Sequence, residues 1–112
     1  MKNILIVFSL ITFFCANSAL AQTMQTATFK VWGNCGMCEK KIERAAKIKG
    51  VSKADWDVDT HIMTVIYNSE KANLDDIQKK IAGVGYDTEK FRAPEKVYEK
   101  LHHCCQYERK PN

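Results

Sequence analysis

Apolar and polar positions alternate over residues 24–32, with Ala27, Phe29 and Val31 on one side and Thr28 and Lys30 on the other. A period of two predicts a strand with one buried face. Over residues 38–49 the period lengthens. Ile42, Ala45 and Ala46 share one face, while Lys40, Lys41, Arg44 and Lys47 fall mostly elsewhere. That pattern predicts a helix, and Gly50 stops it. Alternation returns over residues 51–58, where Ala54, Trp56 and Val58 interleave with Asp55, Asp57 and Asp59. Asp59-Thr60 reads as a tight turn, with a returning strand over 61–67. Residues 68–73 are a polar loop. Leu74, Ile77 and Ile81 then fall at i, i+3 and i+7, predicting a second helix over 73–82. Gly83 and Gly85 break it, and residues 86–91 read as a last short strand.

The order β-α-β-β-α-β implies an α+β chain of ferredoxin-like type: four antiparallel strands with both helices on one face. This topology puts the loop after the first strand and the loop over 83–86 at the same end of the sheet. Tyr86 is therefore expected near Cys35 and Cys38.

The first 21 residues stand apart from this pattern. Lys2 precedes an apolar run over 4–14, and Ala19-Leu20-Ala21 is a small-x-small cleavage pattern. This reads as a signal peptide cut after Ala21, too short for a stable membrane span. The expected product is a domain over 22–92 and a tail over 93–112, periplasmic or secreted. The balance of 17 Lys plus Arg against 13 Asp plus Glu is mild and scattered, which argues against a nucleic-acid partner. The stripe Lys40, Lys41, Arg44, Lys47 is either a solvated face or a docking surface for an acidic partner.

The chemistry lies in the cysteines. Cys35-Gly36-Met37-Cys38 sits where the first strand meets the first helix. Thiolates select soft ions such as Cu(I) and Zn(II), and a helix N-terminus favours their ionised form. A disulfide closing so short a loop would be a poor staple. The rival chemistry is thiol–disulfide exchange, which CxxC at a helix start also serves. That fold usually sets a cis-proline opposite the site, and no proline precedes Pro94. No serine-nucleophile pattern, paired-carboxylate motif or phosphate loop is present, so no enzyme is expected.

The tail carries a second constellation, His102-His103-Cys104-Cys105. Pro94, Val97, Tyr98 and Leu101 predict a short amphipathic helix leading to it. Its adjacent thiols and imidazoles suit Cu(I) or Zn(II). His102, Cys104 and Cys105 are the preferred donors, with His103 behind them. The alternatives are a disulfide to another chain or a bridge pinning the tail to the domain. A metal- or disulfide-linked dimer would follow from either kind of sharing.

Val31-Trp32-Gly33-Asn34-Cys35-Gly36-Met37-Cys38, followed by a helix, resembles the heavy-metal-associated domain family. So do Gly50-Val51 after the first helix and Gly85-Tyr86 after the second. The resemblance covers residues 25–91 and extends to copper chaperones and periplasmic mercury-binding proteins. It implies one soft ion on Cys35 and Cys38, with Cu(I) the first expectation and Zn(II) or Hg(II) the alternatives. Met37 and Tyr86 would lie around the ion, Tyr86 shielding it. The implied activity is metal transport: a metallochaperone or scavenger that hands its ion by thiolate exchange to a partner protein, for instance a membrane metal transporter. A periplasmic mercury scavenger is the runner-up. The family's Gly-Met-x-Cys start is altered here. Trp32 takes the glycine position, and Gly33 takes that of a methionine buried under the loop.

Overall fold

A computed structural model describes residues 23–112. The expected signal peptide lies outside the described residues. Strands β1 (Met24–Lys30), β2 (Val51–Trp56) and β3 (Ile62–Asn68) form an antiparallel sheet in the order β1-β3-β2. Helix α1 (Gly36–Ala46) joins β1 to β2, and α2 (Leu74–Gly83) follows β3. Registers such as Phe29 opposite Met63, Ala27 opposite Val65 and Trp56 opposite Met63 put the apolar residues of all three strands on one face. These meet Ile42 and Ala46 of α1 and Ile77 and Ile81 of α2 in one buried cluster. Truncating a residue such as Ile42 or Ile77 to Ala costs about 2–5 kcal/mol in cores of this kind.

Local chemistry sets the element ends. Asn73 caps α2, its side chain accepting from the Asp76 N–H at 2.8 Å. Helix α1 starts two residues earlier than its periodicity predicts, with Cys35 as extended N-cap. It also ends three residues earlier, at Ala46, because the chain already turns through Ile48 toward Gly50. Gly50 has φ +97°, a left-handed conformation that favours glycine. Strand β2 ends at Trp56 rather than Val58. The Asp57 carboxylate accepts from the N–H groups of Asp59 and Thr60 at 2.8 and 2.9 Å, folding residues 57–60 into a turn. Val58 is left exposed in that turn. His61, also left-handed at φ 64°, stacks on Trp56.

The expected fourth strand is reduced to a single bridge, Val31 opposite Thr88. Trp32 N–H donates to the Asp87 carbonyl at 2.9 Å and Glu89 N–H to the Lys30 carbonyl at 3.2 Å, so the edge pairing begins as expected. It stops because the chain turns back at once. Thr88 N–H donates to the Phe91 carbonyl, and Phe91 N–H to the Thr88 hydroxyl.

The turn sends the tail back across the end of the sheet. Helix α3 (Glu95–Glu99) and a 3-10 turn (His103–Cys105) follow, the helix ending before Leu101. Leu101, Cys105 and Tyr107 enter the central cluster. Leu101 packs on Gly85, where φ is +113° and an added Cβ would meet its side chain at 3.0 Å.

Candidate metal centre

Two different devices bring cysteines to one end of the sheet. The first is the start of α1. Cys35 is its N-cap and Cys38 lies in its first turn, so the two sulfurs are 3.7 Å apart. Cys35 is half-buried and Cys38 fully buried. The N–H groups of Cys38 and, less strongly, Met37 favour the Cys35 thiolate and lower its pKa; neither forms a complete capping hydrogen bond. Burial pushes the Cys38 thiol up instead. The helix start and burial thus push the two thiols in opposite directions.

The loop before α1 rests on Trp56. Its indole Nε1 donates to the Val31 carbonyl at 3.0 Å. A Cβ on Gly33 would meet the same ring at 2.9 Å and the Ile42 side chain at 3.1 Å. The indole therefore supports the loop where the resemblance implies a buried methionine. The altered start of the motif is a matched pair, a glycine above a tryptophan. Met37 is exposed at the other side of the loop.

The second device is the tail. Cys105 is fully buried, and its sulfur lies with those of Cys35 and Cys38 in a group whose atoms are all within 4.8 Å of one another. Burial raises its pKa as well. Cys104, half-buried, lies outside that group. Its sulfur is 3.9 Å from that of Cys105 and 3.1 Å from His102 Nδ1. His102 and His103 are exposed, with rings 4.3 Å apart. The four residues that adjoin in sequence are therefore split: Cys105 faces the loop pair, while His102 and Cys104 pair with each other. The Cys104 carbonyl ties the tail to the loop, accepting from Asn34 Nδ2 at 3.3 Å and from the Cys35 thiol at 3.9 Å. All of these cysteines are free thiols.

Tyr86 lies beneath the sulfurs, as the topology predicts. Burial first, then the Cys38 and Cys105 thiols, push its hydroxyl far above the ordinary tyrosine value. That hydroxyl is fully buried and makes no hydrogen bond. A buried donor without a partner costs about 1–3 kcal/mol. Ionised sulfur beside it would supply the missing acceptor.

Residues not singled out from sequence hold the tail in place. The Arg109 guanidinium grips the buried Asp87 carboxylate through Nη2 at 2.7 Å and Nε at 3.1 Å. The Ala93 N–H donates to the same carboxylate at 2.7 Å. Burial alone would raise the Asp87 pKa, but Arg109 and the Ala93 and Lys110 N–H groups outweigh it and hold it below the usual value. The Tyr107 hydroxyl accepts from the Asp87 N–H and donates to the Gly85 carbonyl, both at 2.8 Å. Its ring stacks on Tyr86, 5.7 Å between centroids. The local signs of this docking are the apolar and aromatic positions Val97, Tyr98, Leu101 and Tyr107 in a largely polar tail.

A ferredoxin-like sandwich with a paired-thiol loop at its first helix defines the general class. The family model of the heavy-metal-associated domain matches residues 28–87, and this chain belongs to that family. The copper chaperone CopZ of Staphylococcus epidermidis is 35% identical over 66 residues, which span 57% of this chain and 97% of that protein. Among solved structures, oxidized MerP from Ralstonia metallidurans is 31% identical with a TM-score of 0.56, covering 59% of this chain and 94% of that one. The N-terminal domain of a potential copper-translocating P-type ATPase from Bacillus subtilis, in its Cu(I)-loaded state, is 30% identical with a TM-score of 0.55. It covers 58% of this chain and 84% of that one. The family match ends at residue 87, so the tail with Cys105 lies beyond it. Among the described residues no helix is long and apolar enough to cross a membrane.

Proposed function

We propose that this chain binds one Cu(I) ion as cargo on Cys35 and Cys38 and passes it on, or sequesters it, by thiolate exchange. The observation that carries this reading is the pair of free sulfurs 3.7 Å apart at the N-terminus of α1. Soft thiolates select Cu(I) over harder ions. The similarity to a copper chaperone and to a copper-translocating ATPase domain supports the choice of metal and suggests a transporter of that kind as the acceptor. In the exchange, an incoming partner thiolate adds to the ion before one of the chain's own sulfurs leaves. Each sulfur that leaves takes up a proton, and the metal keeps its oxidation state. The signal-like pattern ending at Ala21 supports reading this work as periplasmic or outside the cell.

Hg(II) is the second reading, and the similarity to MerP is what favours it. Metal analysis of protein purified without oxygen, followed by competition between Cu(I) and Hg(II), tests the two. About one equivalent of copper, lost in Cys35→Ser, is expected. Protein that carries no copper and refuses it from solution would overturn the copper reading.

A further inference from the structure

The tail brings a sulfur to the loop that the family match does not contain. Taking about 2.3 Å for a metal–thiolate bond, the zinc value, two sulfurs on opposite sides of one ion stand about 4.6 Å apart, and three around it about 4.0 Å. Cys35 and Cys38 are 3.7 Å apart, closer to the threefold arrangement, and Cys105 lies within 4.8 Å of both. Cys105 is fully buried, so it faces no solvent. It does not reach the site by chance placement of a loose end. Arg109, Tyr107 and Leu101 fix the tail on both sides of it, and the Cys104 carbonyl receives donors from the metal loop itself. The unpartnered Tyr86 hydroxyl, beside Cys38 and Cys105, is a second and independent sign. Three ionised sulfurs around a soft cation would give that hydroxyl an acceptor.

We infer that Cys105 is a built-in third thiolate: the site is three-coordinate in sulfur, and the tail occupies the position that an acceptor's first incoming thiolate must take. The inference rests on the metal reading of Cys35 and Cys38. Transfer then begins with exchange at Cys105. The bond from the ion to Cys105 breaks and one to the acceptor's sulfur forms. Cys105 takes up the proton that the acceptor thiol gives up, with no change in oxidation state. The tail acts as a latch on the cargo. Holding is favoured until a partner displaces it, which suits a scavenger or a guarded carrier more than a freely exchanging one.

The test is X-ray absorption on the Cu(I)-loaded chain from residue 22 onward, beside Cys105→Ser, Cys105→Ala, Cys104→Ser and Cys35→Ser/Cys38→Ser. Truncating the tail is unsuitable, because Leu101 and Tyr107 belong to the core. Three sulfurs are expected around copper in the unaltered chain and in Cys104→Ser, and two in both Cys105 variants. The Cys105 variants should also lose about tenfold or more in Cu(I) affinity, a factor of ten being about 1.4 kcal/mol. They should release copper faster to a dithiol acceptor. Circular dichroism showing a folded Cys105→Ala or Cys105→Ser makes the comparison valid, and either variant suffices. Two sulfurs in the unaltered chain, or the same count with and without Cys105, would overturn the third ligand while leaving the loop site intact. Undiminished binding by the Cys35/Cys38 double variant would instead overturn the metal reading beneath it.

Discussion

The two cysteine pairs of this protein behave in opposite ways. Cys35 and Cys38 are separated in sequence and joined in space, because an N-cap and the first turn of a helix aim at one point. Cys104 and Cys105 adjoin in sequence, yet only Cys105 joins the loop sulfurs. Cys104 turns to His102. A helix start makes its own geometry from local residues. A tail borrows its geometry from whatever it docks on. The loop pair should therefore tolerate damage to the tail, whereas Cys105 should depend on groups far from it in sequence.

Removing Arg109 breaks the comparison most sharply. Arg109→Ala leaves the Asp87 carboxylate buried without its cation, which costs about 3–5 kcal/mol for a pair of this kind. Thermal unfolding should show that loss, and amide exchange should show it concentrated in residues 93–112. The loop cysteines should still bind copper. Equal stability would mean that the ion pair does not hold the tail.

Tyr107→Phe is a gentler cut at the same junction. It removes one acceptor and one donor from buried partners, the Asp87 N–H and the Gly85 carbonyl. The expected cost is about 1–3 kcal/mol per group left unsatisfied. Denaturant unfolding measures it, and the stacking on Tyr86 should survive.

Acid should separate the two regions without any mutation. The Asp87 pKa is lowered in the folded chain. A depressed carboxylate contributes its full stability above the unfolded value of about 3.9, and loses it as pH falls through the folded value. The tail should thus stay docked from neutral pH to about 4.5 and loosen below about 4. Protection of the Tyr107 amide, followed against pH, reports this. The same profile in Asp87→Asn would show that another group controls the release.

These experiments also mark where the sequence stops being legible. Periodicity locates β1, α1, β3 and α2, though not the ends of α1, and the Cys35-x-x-Cys38 spacing and the Asn73 cap are local, so the loop pair and the place of Tyr86 can be read directly. The end of β2 was missed because Asp57 folds its own turn, which alternation does not register. The fourth strand was overestimated because Thr88 and Phe91 close a turn on each other. The apolar positions Val97, Tyr98 and Leu101 signal that the tail has a face to bury, but not where it docks. Asp87 and Arg109 are 22 positions apart, and nothing in the intervening pattern pairs them. For the same reason the residue types in His102-His103-Cys104-Cys105 announce ligands without saying which thiol faces inward.

The smallest effect concerns the face beside the loop. Lys40 and Arg44 are exposed on α1 and Lys47 just past its end, Lys41 is half-buried, and Glu39 and Glu43 interrupt the stripe. Replacing Lys40 and Arg44 with Glu should slow copper transfer to an acidic acceptor by roughly 2–10-fold at low salt, with the difference fading as salt rises. Stopped-flow transfer rates measure this. Unchanged rates at low salt would return the stripe to a solvated helix face.

The most direct test of the account is anaerobic competition for Cu(I) between the protein and a strong chelator. The unaltered chain should withdraw about one equivalent, and a folded Cys35→Ser/Cys38→Ser double variant, made in a Cys104→Ser background so that the tail keeps a single thiol, should withdraw none, since Cys105 alone cannot replace two thiolates. A double variant that competes as well as the unaltered chain would contradict the assignment of the metal to the loop.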